Sequence, residues 1–132
     1  MIKVVARYLN GQVVKGFTTD FSPFKDRFHL VPEGRPGLQP LDVSLSELKG
    51  LFFVKDFRGD RRHVKSNAFH PGHVQPGKRI QIRFKDGELL LGVTQGFQPN
   101  RPGFFVLPAD PAGNSDRCFV VTAATKEVRL LE

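Results

Sequence analysis

Apolar and polar positions alternate at two places along the chain, and the two stretches match. Ile2, Val4, Ala6 and Tyr8 fall on one side of an extended backbone, with Lys3, Val5 and Arg7 on the other. Ile80, Ile82 and Phe84 alternate in the same way with Arg79, Gln81, Arg83 and Lys85. A period of two over this length predicts a strand with one buried face. Each strand runs into Asn10-Gly11 or Asp86-Gly87, dipeptides that tolerate positive φ and predict a tight type I′ hairpin. Return strands follow over 12–18 and 88–95, with Gly16 and Gly92 in their middles. A glycine inside a strand predicts a bulge or sharp bend, the device that lets a short sheet curl.

The match extends well beyond the first strands. Residues 2–32 align without a gap with 78–108, so that Arg7, Gly11, Gly16, Thr18, Phe21, Pro23, Phe28 and Pro32 recur as Arg83, Gly87, Gly92, Thr94, Phe97, Pro99, Phe104 and Pro108. A third strand carries Phe28, Leu30 and Val31, or Phe104, Val106 and Leu107, and ends at a proline that cannot donate to a ladder. Pro/Gly-rich excursions over 32–40 and 108–116 precede a fourth strand, 41–45 or 117–122. Ser44-Leu45-Ser46-Glu47 has the spacing of a capping box, which predicts one helical turn over 46–49. A last strand covers 50–55 and, after a one-residue shift, 127–131. The expectation is an all-β chain of two tandem five-stranded small barrels related by internal duplication. Residues 1–55 form the first repeat, 56–78 a Pro/Gly-containing linker and 79–132 the second repeat. Each repeat is near the lower size limit for an independent core, so the two are expected to pack together.

Charge separates the linker from the repeats. Of the +7 total, residues 55–79 hold +5, from Lys55, Arg58, Arg61, Arg62, Lys65, Lys78 and Arg79 against Asp56 and Asp60. Attraction to a polyanion would concentrate there. No apolar run approaches the roughly 18 residues that cross a bilayer, and the first residues lack the pattern of a signal peptide. The single cysteine, Cys118, excludes an internal disulfide and, with the above, points to the cytoplasm and away from membranes.

Two resemblances add to this reading. Val4-x-x-Arg7-x-x-Asn10-Gly11-x-x-x-x-Gly16-x-x-x-Asp20-Phe21 resembles the first motif of Sm-like (SH3-like) small barrels, and Leu48-Lys49-Gly50-Leu51-Phe52-Phe53-Val54 resembles the second. The resemblance implies barrel geometry in each repeat. It does not extend to that family's RNA pocket, because Asp20 becomes Gly96 in the second copy and Phe24 stands where an asparagine is expected. The whole chain is also similar to uncharacterised bacterial proteins that share phrases such as "RFKDG" and "LFFVKDF". Arg58-Gly59-Asp60-Arg61-Arg62 has the RxxxR spacing that resembles cyclic-di-GMP receptors of the PilZ class, where two arginines stack on guanine and fork onto phosphate. The companion serine- and glycine-containing motif is missing around Asn67 and Asn114.

No constellation points to an enzyme. The serines show no nucleophile elbow, phosphate-binding glycine loops are absent, and Cys118 lies in an apolar strand. His63, His70 and His73 lack the further ligands a zinc site needs, so no metal or other cofactor is expected. The expected role is a non-enzymatic binding or adaptor module with a protein partner, with self-association as a further option. The competing expectation is a nucleotide-second-messenger or nucleic-acid module using Arg58, Arg61, Arg62 and Lys65. Phe24, in a loop and without an apolar counterpart in the other repeat, is the candidate for an exposed partner contact. Arg7 and Arg83 are expected to anchor loops of their own repeats, and Phe21 and Phe97 to fold back as plugs.

Overall fold

Both turn dipeptides close hairpins. Gly11 donates to the Tyr8 carbonyl (3.0 Å) and Gly87 to that of Phe84 (2.9 Å), with φ of +90° and +95° at the two glycines. Among the described residues only glycines have positive φ, so Asn10 and Asp86 do not adopt the type I′ conformation. Each loop is instead three residues long, a turn followed by a bulged glycine. The side chain stabilises it: the Asn10 carboxamide oxygen accepts from Gln12 N–H and the Asp86 carboxylate from Glu88 N–H, both at 2.9 Å.

The computed structural model describes residues 2–34, 39–58, 76–110 and 113–131. It is all-β. The first repeat supplies β1 (Ile2–Tyr8), β2 (Val13–Thr18), β3 (Arg27–Pro32), β4 (Leu41–Ser44) and β5 (Leu48–Val54). The second supplies β6 (Lys78–Phe84), β7 (Leu89–Thr94), β8 (Gly103–Pro108), β9 (Ser115–Val121) and β10 (Thr125–Leu131). Single 3-10 turns, Leu45–Glu47 and Thr122–Ala124, lie before the last strand of each repeat. The capping box does not form: Ser44 makes no side-chain cap bond, and its hydroxyl pairs with that of Ser46 at 2.9 Å.

All ten strands join in one antiparallel sheet, in the order β10-β6-β7-β8-β9-β5-β1-β2-β3-β4. Each repeat is therefore arranged fifth-first-second-third-fourth. The expected five strands per repeat are found, while the ladder runs on from one half to the other through β5 and β9, and among the described residues the sheet does not close into two barrels. Leu51 opposes Phe119, Phe52 opposes Cys118 and Phe53 opposes Arg117. Apolar burial follows the same continuity. Val4, Leu30, Leu48 and Leu51 of the first half and Ile80, Ile82, Val106 and Phe119 of the second belong to one buried cluster.

The mid-strand glycines exist because another backbone passes over them. A Cβ on Gly16 would lie 2.2 Å from the Val31 carbonyl oxygen, and one on Gly92 would lie 2.3 Å from that of Leu107. Real Cβ atoms do not approach so closely, so only glycine lets β2 pass under β3, and β7 under β8, at the bend.

Candidate binding surface

The first half presents a face of rings and cations that no single stretch of sequence contains. Alternation puts Lys3, Val5 and Arg7 on one side of β1. Their partners on β2 are Phe17, Lys15 and Val13, and Val5 is also opposite Phe52 of β5. Chain leaving β5 crosses this face. Phe57 meets Phe17 edge-to-face (centroids 5.3 Å apart, planes at 89°), an arrangement favoured by the ring quadrupoles. Lys3 Nζ stands 5.9 Å from the Phe57 ring centre, and Lys15 Nζ donates to the Phe57 carbonyl at 2.7 Å. Arg7 lies over Phe52, 5.3 Å from its centre. Arg58 follows directly and is exposed.

This crossing is held by the second half. Asn114 Nδ2 donates to the Asp56 carbonyl (2.9 Å), and Asn114 Oδ1 accepts from Asp56 N–H (3.2 Å). Lys55 N–H donates to the Asn114 carbonyl at 2.9 Å. Asp56 in turn accepts from Arg58 N–H at 2.8 Å. Lys55 lies 4.0 Å from Asp116, so part of the local positive charge is offset there. No described carboxylate pairs with Lys3, Arg7, Lys15 or Arg58.

Of the basic residues singled out from sequence, Arg58 is described: it follows Phe57 and is exposed. Arg61, Arg62 and Lys65 lie outside the described residues, as do His63, His70 and His73. Phe24 is 84% exposed in the loop before β3, away from the rings that pack in pairs. The recurrent arginines differ: Arg83 reaches the Gly87 carbonyl at 3.5 Å, whereas Arg7 covers Phe52. Phe21 and Phe97 also diverge. Among the described residues the one ring partner of Phe97 is Phe104 of its own half, while Phe21 touches Phe28 and Phe53 of its own half and Phe105 and Phe119 of the other. It is a bridge between halves rather than a plug for one. Arg117 stacks over Phe53 and Phe105 at 4.3 and 4.7 Å beside it.

The perturbed acids are structural. The His29 side chain and backbone N–H both bond Asp20, chiefly the former, and hold its carboxyl below the ordinary value. Lys49, from β5, reaches across to Asp86 (2.7 Å) and Glu88 of the second half, and holds Asp86 below its ordinary value. Burial, then the charge of Glu47, pushes the Tyr8 phenol up. Among the described residues no group of three metal-ligating side chains converges, and no helix is long and apolar enough to cross a membrane.

Residues 1–132 match the model of a family described as "Family of unknown function (DUF6982)". The chain belongs to this family. Neither curated proteins nor solved structures yielded a match. Family membership assigns no chemistry, so the surface itself has to carry the functional reading.

The lysines and rings of this face were missed from sequence because they are scattered over residues 3–58, and each alone reads as an ordinary outward strand residue. A usable signal was present: Lys15 and Phe17 on one face of β2 correspond to Leu91 and Val93 in the second repeat. The two copies therefore differ at these two outward positions of the surface, while Lys3 and Arg7 keep basic counterparts in Arg79 and Arg83.

Proposed function

We propose that the protein is a non-enzymatic binding module in which each five-stranded half, kinked at Gly16 or Gly92, serves as a curled small-barrel scaffold. Its contact surface is the face carrying Lys3, Arg7, Lys15, Phe17, Phe57 and Arg58. The partner is single-stranded nucleic acid. The observation that carries this is the meeting of two lysines and two rings at Phe57, from β1, β2 and the chain beyond β5. Cations along a strand of phosphates with rings for base stacking form the general pattern of single-strand recognition. The net charge of +7 favours the encounter.

The test is titration of labelled single-stranded RNA and DNA against the protein at two salt concentrations. Binding is expected to weaken with salt, and Lys3→Gln with Lys15→Gln to reduce the logarithmic salt slope by roughly 1.4, from about 0.7 per lost phosphate contact. Phe57→Ala is expected to cost about 1–3 kcal/mol of affinity through lost stacking. Silence at low salt, with a protein partner recovered instead, overturns the reading. So does binding indifferent to the paired lysine substitution in a chain with an unchanged circular dichroism spectrum.

A further inference from the structure

The halves meet through unlike strands, and this leaves the same unlike strands at the two ends of the sheet. Inside the chain, the fifth strand of the first repeat (β5) pairs with the fourth strand of the second (β9). The strands at the ends of the order are the fourth of the first repeat (β4) and the fifth of the second (β10). Among the described residues, nothing pairs with their outer sides. We infer that β4 of one molecule pairs with β10 of a second copy, in the register that already joins β9 to β5.

The 3-10 turns Leu45–Glu47 and Thr122–Ala124 set the equivalence between the fourth and fifth strands of the two repeats. By it, Leu41, Asp42 and Val43 stand where Cys118, Phe119 and Val120 do, and Glu127, Val128, Arg129 and Leu130 where Gly50, Leu51, Phe52 and Phe53 do. Transferring the internal register sets Glu127 of a second copy opposite Val43, Val128 opposite Asp42 and Arg129 opposite Leu41. One observation favours it. Leu41 and Leu130 are 42% and 49% exposed, whereas Cys118 and Phe53 at the corresponding positions are 0% and 4% exposed under the internal junction. Both ends thus keep an apolar side chain at a position that such a junction covers.

The contact is heterologous, so each added copy leaves the same two ends free until a rotation closes the set into a ring. It is also more polar than the internal junction, because Asp42 and His29 replace Phe119 and Phe105. Charged, short edges restrain runaway pairing, and the association should accordingly build with concentration rather than be permanent.

Two measurements on the full chain decide it. Sedimentation velocity from low micromolar to near-millimolar protein is expected to show masses rising as multiples of 14.8 kDa. Leu41→Cys and Arg129→Cys chains, each in a Cys118→Ala background, are then mixed and oxidised. Each chain then carries a single cysteine, so any disulfide must join two molecules. A covalent dimer is expected from the mixture and not from either chain alone, with Leu41→Cys mixed with Val128→Cys yielding less. A monomer at every concentration overturns the inference, as does an oligomer that gives no Leu41→Cys to Arg129→Cys product.

Discussion

Phe119→Ala tests whether the two halves share one core. Phe119 is fully buried in β9, opposite Leu51 of β5, and its ring centre lies 5.2 Å from that of Phe21 and 5.1 Å from that of Phe105. Truncation removes apolar surface from both halves at once and leaves a cavity that the rigid strands on either side cannot fill. Phe→Ala substitutions at such sites cost about 3–5 kcal/mol. For a domain of this size one kcal/mol corresponds to roughly 4 °C, so Tm should fall by about 12–20 °C. The equivalent position in the first half is Asp42, whose ion pair with Arg27 spans 3.0 Å between largely exposed side chains. Asp42→Ala should therefore cost about 0–1 kcal/mol. Urea unfolding followed by circular dichroism reads both variants, and a single transition with unchanged slope is expected for each. A Phe119→Ala loss below about 1 kcal/mol would refute the reasoning. So would two separate transitions in the parent chain, which would mean that each half unfolds alone.

The remaining expectations concern turns, pH and the exposed loop. Gly16→Ala and Gly92→Ala each drive a Cβ into a carbonyl of the crossing strand, and should lose about 1–3 kcal/mol in urea midpoints. Gly11→Ala meets open space and has only its φ of +90° against it, so about 1–2 kcal/mol is expected. Asp20 and Asp86 are held below the ordinary carboxylate value when folded, so their contribution is present above that value and disappears as pH falls through the lowered one. Urea midpoints should fall on acidification through that window, and Asp20→Asn should flatten part of the fall. Phe24→Ser should leave the midpoint within about 0.5 kcal/mol of the parent, because its ring is in solvent.

Much of each half can be read along the chain. The hairpin corners, the bends at Gly16 and Gly92 and the strand ends at Pro32 and Pro108 depend on local stereochemistry, and local stereochemistry is written in neighbouring residues. The type of hairpin loop was less legible, since Asn10 and Asp86 act through their side chains rather than through positive φ. The binding face was illegible as a unit: Phe57 meets Lys3 and Phe17 only after β1, β2 and β5 are paired.

The order in which the halves join shows the division most clearly. Duplication alone determined that there would be two five-stranded units with equivalent turns. It left open which edges would meet, because a backbone edge offers the same donors and acceptors whatever its side chains. The copies differ where it matters: Cys118-Phe119-Val120-Val121 is apolar throughout, and Leu41-Asp42-Val43-Ser44 alternates. A continuous apolar run suits a strand covered on both faces, but any neighbouring element could provide that cover. Only the tertiary structure decided that β5 does so, by placing Leu51 across from Phe119 and bringing Phe21 over the seam. Burial depends on what lies opposite a residue in space, and sequence records only what lies beside it in the chain.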